Sequence, residues 1–431
     1  MKVWIEPSDV SGTLRIPPSK SYGHRALICA GLAQGTSTIH HLGNSKDMDA
    51  TLSCLTSLGA HVSLLDASSA DGTRTIQVTG CSPKAIPESQ PVTLNANESG
   101  STLRFFIPIA AAGSEPVTFL GKPTLLSRPM GVYANIFAEQ NLAFEQSGTG
   151  ISFQGPLQGG LFKIDGNVSS QFISGLLMAA PFLGQSDLAI LPPYQSKSYV
   201  DLTVEMMKRF GVEVDQPTEH AYIVNEGQHY TPAVVDIESD WSQAAFFLVL
   251  GMLNAPLILQ GLNPDSLQGD KVIMDAIELA GGKLQWEEDG LMVKPGLRKA
   301  FDFDLADCPD LGPILCVLAA MCDGTSTLRH AARLRYKECD RIAAMEDELR
   351  KWGVDIESTE DEIIIHGKTS WKQEEPVIID SHNDHRVVMA MAVFGLCAQS
   401  ATQILDAQAV TKSYPHFFDD LLEIKGKVVR A

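Results

Sequence analysis

Six times along the chain a short polar or small-residue start runs into an apolar, helix-forming stretch. These are "PPSKSYGHRALICAGLA" from 17, "ESGSTLRFFIPIAAA" from 98, "SSQFISGLLMAAPFL" from 169, "DWSQAAFFLVLGML" from 240, "PDLGPILCVLAAM" from 309 and "DHRVVMAMAVFGL" from 384. They recur at intervals of roughly 70 to 80 residues, which marks an internal repeat. The last five are preceded by candidate strands: "VTLNA", "FKIDG", "AVVDI", "FDFDL" and "PVIID". Most are followed by an amphipathic helix closing on Gly and then by a hairpin, as in "TVEMMKRFGVEVDQ" and "MEDELRKWGVDIESTEDEIIIHG". The Gly suits a helix C-cap, and the alternating residues suit half-buried strands. The predicted unit is therefore strand, helix, strand, helix, hairpin. Such a unit buries its apolar helix only against its neighbours, so several must pack together. Six units exceed one core at this length, and three per domain is the natural division. The crossing falls near 237–239, read as a hinge, and the strand before Pro17 fits either half.

The polar starts carry the candidate chemistry. Ser19 is placed to cap a helix whose first two turns hold Lys20 and Arg25. Two cations there oppose the partial positive charge of the helix N-terminus, so an anion would relieve them. If the six units are equivalent, their helix N-termini aim at common surfaces. They then collect Lys20, Ser21, Arg25, Ser99, Arg104, Ser169, Ser170, Gln171, Asp240, Asp310, Asp384, His385 and Arg386. The second helices add Arg128 from "LSRPMG", Ser196 and Tyr199 from "SKSYVDLT", Lys337, Glu338 and Arg341 from "RYKECDR", and Lys412 from "TKSYP". Together these suggest an interdomain cleft for a polyanionic small molecule.

Charge narrows the partners. The formal net charge is −19, which argues against non-specific binding to nucleic acid or to an anionic membrane. Anion binding must then come from local clusters of Lys and Arg. "MKVWIEPSDV" lacks a signal-peptide pattern and no apolar run reaches the length of a membrane span, so a soluble, cytoplasmic protein is expected. The eight cysteines are scattered without a C-x-x-C pair and are read as reduced thiols, several of them buried.

Single motifs leave alternatives. Lys337 and Arg341 at i and i+4 fit either a solvated, ion-paired helix or an anion site; the density of Arg333, Arg335, Lys337 and Arg341 favours the site. "SHNDHR" offers H-x-x-H spacing, but no third ligand accompanies it, so no metal is expected and His385 is better read as a donor beside Arg386. His40 and His41 are expected in a turn. "VSSQF" fits a plain N-cap or a phosphate cradle. No Walker or dinucleotide fingerprint is present.

Taken jointly, "KSYGHRAL", "SGSTLRF", "SRPMG", "VSSQFISGLLMAAP", "SKSYVDLT", "KECDRI", "NDHRVVMAMA" and "TKSYPHFFDDL" resemble, in order and spacing, the 5-enolpyruvylshikimate-3-phosphate synthase family over essentially the whole chain. The resemblance implies an α/β (α+β) fold of two inside-out α/β barrel domains, each of three βαβαββ units. One domain would be residues 19–237 and the other 1–18 plus 238–431, with the active site in the cleft between them. It implies cofactor-free transfer of an enolpyruvyl group from phosphoenolpyruvate to shikimate 3-phosphate by a monomer.

By position, the resemblance gives Ser21 and Arg25 to the shikimate carboxylate and Ser169, Ser170, Ser196 and Lys337 to its phosphate. Gln171 and Tyr199 would line the ring. Lys20, Arg128, Arg341, Arg386 and Lys412 would hold phosphoenolpyruvate, with Gly100 bordering the pocket and Gln171 reaching both substrates. Asp310 resembles the base at the 5-hydroxyl and Glu338 the acid at the methylene carbon; Lys20 shares proton traffic, and His385 supports it as a donor. Two positions depart from the better-studied pattern: "ESG" stands where "NAG" is usual, and Arg333 where an Asn often meets the shikimate phosphate. Inhibition by glyphosate is implied, since Gly100 leaves the pocket open. Three rivals stand beside this reading: a sister carboxyvinyltransferase acting on a UDP-sugar, which carries a loop Cys absent from "AAAGSEPVTFLGKPTLL", an RNA 3′-phosphate cyclase, and a non-catalytic anion binder.

Overall fold

Among the described residues six four-stranded sheets share one strand order, one sheet for each repeat read from the sequence. The computed structural model describes residues 1–66, 72–85 and 91–430. In each sheet the first strand in this order runs parallel to the second, and in repeats one to five a hairpin follows whose later strand lies antiparallel to the second. Repeat two shows the plan. Val92–Asn95 pairs with Pro116–Leu120 across the core helix Gly100–Ala110, and the hairpin Phe144–Gln146 and Ile151–Gln154 completes the sheet.

The chain divides into two compact units, Pro18–Glu238 and Met1–Pro17 with Ser239 onward. Each has its own apolar core. The division explains where the repeat pattern needs correction. "AVVDI", expected to open repeat four, instead pairs through Val234–Asp236 with Thr36–Leu42 of repeat one, in the register Val234 opposite Thr38. Repeat four takes Gly12–Arg15 in its place, paired with Leu257–Gln260. Repeat six has no hairpin of its own; Lys427–Arg430 pairs with Val3–Glu6, which also pairs with Thr402–Ile404. His40 and His41 lie in the strand Thr36–Leu42 rather than in a turn. The apolar positions Ile39 and Leu42 hold that strand on the core while a bulge at His41, with φ of 52°, absorbs the extra residue.

The core helices are apolar on every side because nothing but protein surrounds them. In repeat four all thirteen residues of Trp241–Leu253 are buried, and in repeat five all nine of Gly312–Ala320. With His385–Cys397 of repeat six, these helices pack on one another and on the buried faces of their own sheets. In the other unit Gly100–Ala110 packs on Ser170–Leu183, and Lys20–Leu32 packs on the second helices Lys46–Ser57 and Lys197–Arg209. Among the described residues no helix is long and apolar enough to cross a membrane.

Five core helices start on a side-chain cap. Ser19, Ser99, Ser169, Asp240 and Asp384 accept from backbone N–H groups two or three residues on. Each such cap is worth about 1 kcal/mol and fixes the direction in which its helix start points. Repeat five breaks the pattern. Its core helix follows a 3-10 turn, Pro309–Leu311, and Asp310 in that turn caps nothing.

Candidate active site

The carboxylate released from capping duty at Asp310 is gripped by three cations. Its Oδ1 accepts from Lys337 Nζ and from Arg341 Nη1, both at 3.1 Å, and its Oδ2 accepts from Arg386 Nη2 at 3.0 Å. Arg386 also donates to the Asp310 backbone carbonyl at 3.0 Å and to Ser242 Oγ at 2.7 Å. Ser242, Asp310 and Arg386 sit at the starts of repeats four, five and six, so the three helix N-termini of this unit converge.

Arg341 is the hub. It is 1 % exposed, and it donates from Nη2 to Glu338 Oε2 at 2.6 Å and from Nε to Asp384 Oδ2 at 2.8 Å. The helix it begins, Arg341–Arg350, is capped by Asp340, which accepts from the N–H groups of Ile342 and Ala343. Lys337 and Glu338 consequently lie in the turn ahead of that helix and not on its face, which corrects the i, i+4 reading. Arg333 sits on the 3-10 turn Ala332–Tyr336 and acts on Lys337 through its charge. Lys412 closes another 3-10 turn and donates to the Asn383 carbonyl at 2.7 Å. His385 is the first residue of its core helix, buried beside Asp384 with Nδ1 at 4.0 Å from that carboxylate.

Burial and charge oppose one another here. Burial pushes the Asp310 carboxyl up, but Arg386, Lys337 and Arg341 outweigh it and hold the group well below the usual carboxylate range. Burial likewise pushes Asp384 up, and Arg341 brings it below its ordinary value. For Lys337 burial wins: its amine is drawn down although Asp310 opposes the shift. The result is an ionised carboxylate in a cage of donors suited to planar, bidentate anions.

The other unit holds a second polar group. Lys20, the first residue of its helix, meets Asp47 at 3.0 Å, so the anion that relieves it in this structure is a side chain of the protein. Arg25 is 2 % exposed and donates to the Ser21 carbonyl, Thr203 Oγ1 and the Tyr199 carbonyl, each at 2.7 Å, with its guanidinium over the Phe105 ring. Burial lowers its pKa to about 10. Gln171, two residues after the Ser169 cap and next to buried Ser170, accepts from Arg104 at 2.7 Å and donates to Ser101 Oγ at 3.0 Å. Gly100 is closed in by the same group: a Cβ there would lie 2.7 Å from Arg128 Nη1 and 3.5 Å from Arg104 Nη1. Arg128 lies between the helices Pro123–Leu126 and Gly131–Glu139. Ser196, buried and left-handed at φ 56°, opens the helix Lys197–Arg209 that carries Tyr199.

The structure therefore joins Asp310, Lys337, Glu338, Arg341, His385 and Arg386 in one unit, and Gly100, Arg128 and Gln171 in the other, where Ser21, Arg25 and Tyr199 form an adjoining knot. It also shows partners to which the resemblance assigned no role. Asp384, fully buried, both caps a helix and holds Arg341; Arg104, Asp47 and Ser242 each ground a predicted residue. Asp384 and Arg104 stand among the polar helix starts, whereas Asp47 and Ser242 carry no signal that separates them from ordinary surface residues. Among the described residues no cluster of three His, Cys, Asp or Glu side chains is arranged to hold a metal.

Comparison with known proteins follows this geometry. Residues 5–421 match the family described as EPSP synthase (3-phosphoshikimate 1-carboxyvinyltransferase). The chain is 40 % identical over 427 residues to the 3-phosphoshikimate 1-carboxyvinyltransferase of Clostridium novyi, covering 98 % of this chain and 97 % of that protein. It is similar to the solved EPSP synthase of Acinetobacter baumannii at a TM-score of 0.77 and 25 % identity, with both chains fully covered. The enolpyruvyl transferase NikO of Streptomyces tendae shares the fold, with a TM-score of 0.79 at 14 % identity over 100 % of this chain and 98 % of that one. A match of this extent, on a fold of six such repeats, places the chain in the EPSP synthase (3-phosphoshikimate 1-carboxyvinyltransferase) family.

Proposed function

We propose that the protein transfers the carboxyvinyl group of phosphoenolpyruvate to the 5-hydroxyl of shikimate 3-phosphate and releases phosphate, with groups from both units acting on the same pair of substrates. The observation that carries this reading is the Asp310 carboxylate, freed from helix capping and held by Lys337, Arg341 and Arg386. Asp310 takes the proton of the 5-hydroxyl as its oxygen bonds to the central carbon of phosphoenolpyruvate, and Glu338 delivers a proton to the methylene carbon. The resulting ketal loses phosphate, and the same carbon returns its proton as the double bond re-forms.

Charge gives this sequence its order. Both substrates bring a phosphate and a carboxylate, and these anions compete with Asp310 for Lys337 and Arg386. As the cations turn toward substrate, the force depressing the Asp310 pKa weakens, and the carboxylate becomes a better base when the hydroxyl arrives. Lys20, Arg128, Arg341 and Lys412 complete the phosphoenolpyruvate contacts. Ser21, Arg25, Ser169, Ser170, Gln171, Ser196, Tyr199 and Arg333 serve shikimate 3-phosphate, and His385 is a supporting donor. The reaction needs acid–base chemistry and charge stabilisation alone, and the proposal includes no metal or cofactor; it takes the enzyme to be a cytoplasmic monomer.

The test is phosphate release. Purified protein supplied with both substrates liberates phosphate in step with the carboxyvinyl product, and neither substrate alone does so. Absence of release with the pair removes the reading.

A further inference from the structure

Two turns beyond Arg341 on the same helix, Glu348 is buried with 1 % exposure, and none of the roles above uses it. Both its oxygens are committed. Oε1 accepts from His382 Nε2 at 2.8 Å, and Oε2 accepts from Lys351 Nζ at 2.6 Å and from the Asp380 backbone N–H at 3.1 Å. What Glu348 grips is the turn 380–384, which links the strand Val377–Ile379 to the core helix of repeat six.

That turn is held in a costly shape. His382 and Asn383, neither of them glycine, are successive left-handed residues at φ 48° and 52°. The shape has a use on its far side. It turns the Asn383 carbonyl toward Lys412 Nζ at 2.7 Å, and it sets Asp384 to accept from Arg341 Nε at 2.8 Å. Local bonds brace the turn: the His382 N–H donates to Asp380 Oδ1 at 2.7 Å and the Asp384 N–H to the Ser381 carbonyl at 2.9 Å. The hydrogen bond from His382 to Glu348 fastens it to the helix that carries Arg341.

We infer that Glu348 and His382 are positioning residues for the phosphoenolpyruvate half of the reaction: their hydrogen bond locks the 380–384 turn so that Asn383 aims Lys412 and Asp384 aims Arg341. The inference rests on the transferase reading above, in which those two cations hold phosphoenolpyruvate.

Steady-state kinetics of the full chain test it with His382→Ala, His382→Gln and Glu348→Gln beside the wild type. Ala and Gln carry the same backbone strain at φ 48°, so their difference isolates the hydrogen bond, which the Gln amide still donates to Glu348. His382→Ala is expected to raise KM for phosphoenolpyruvate about fivefold or more while KM for shikimate 3-phosphate stays within about twofold, and His382→Gln to recover most of the loss. Glu348→Gln, which keeps an acceptor but no charge, should show the same substrate bias. If that buried substitution prevents folding, the His382 pair, with a side chain 27 % exposed, carries the test. The inference is overturned if His382→Ala leaves both KM values unchanged, if both rise together in step with a falling Tm, or if Gln fares no better than Ala. A wild type that releases no phosphate removes the transferase reading and this inference with it; an active wild type with unaltered variants removes the inference alone.

Discussion

Arg386 reaches Asp310 twice, through Nη2 to the carboxylate and through Nη1 to the backbone carbonyl, each at 3.0 Å. Among the described residues, this double contact fixes the one acidic group at a core-helix start that caps nothing. Asp310→Asn should therefore keep the fold and the carbonyl contact but lose the charge that Lys337, Arg341 and Arg386 share. Turnover is expected to fall by a factor of the order of 10² or more. Affinity for shikimate 3-phosphate should hold or rise, since the cations lose their internal counter-ion. Calorimetric titration beside turnover measurements checks both halves, and a drop in rate of less than about threefold would contradict the base role.

Glu338 contacts Arg341 at 2.6 Å, but Arg341 keeps Asp384 and Asp310 when that contact is removed. Glu338→Gln should leave shikimate 3-phosphate binding largely intact and lower turnover by about 10² or more. Weakened binding with unchanged turnover would identify Glu338 as a structural partner of Arg341 and nothing else.

At Gly100 an added methyl meets the far end of Arg128, a flexible group that gives way. Gly100→Ala is expected to fold normally and to raise KM for phosphoenolpyruvate about tenfold, with little change for shikimate 3-phosphate. Equal changes for both substrates would show that the guanidinium is not the group displaced.

A pH effect lies apart from the site. Burial raises the Asp420 pKa from 3.8 to about 6, although the Tyr414 hydroxyl donates to its carboxylate and works the other way. A carboxyl whose pKa rises on folding contributes stability that is fully present below its unfolded pKa and is lost as pH climbs through the folded one. The wild type should therefore lose stability relative to Asp420→Asn between about pH 4 and pH 7. Parallel Tm profiles for the two proteins over that range would rule this out.

Much of the fold was legible because its core helices are apolar on nearly all faces, as burial requires, and five of the six begin on a Ser or Asp cap. Strand ownership was not. Val234–Asp236 precedes the helix of repeat four in the chain yet pairs in repeat one, and no residue in "AVVDI" encodes which parallel neighbour it meets. The site divides similarly. Arg341, Lys337 and Arg386 drew notice as cations in an acidic chain, whereas Asp47 and Ser242 matter only through neighbours 27 and 144 residues away. Lys337 and Glu338 were misplaced on a helix because the cap at Asp340 leaves them outside it, and an alternating charge run conceals that boundary.

The pairing of Val3–Glu6 with Thr402–Ile404 and Lys427–Arg430 has a consequence for biosynthesis. The unit from Pro18 to Glu238 is contiguous and becomes complete once Val234–Asp236 leaves the ribosome. Gly12–Arg15 finds its partner soon afterwards in Leu257–Gln260, but Val3–Glu6 must wait for Thr402–Ile404, about four hundred residues downstream of it, a delay on the order of twenty to eighty seconds at ordinary elongation rates. Any factor that shields nascent strand edges would find its target in Val3–Glu6.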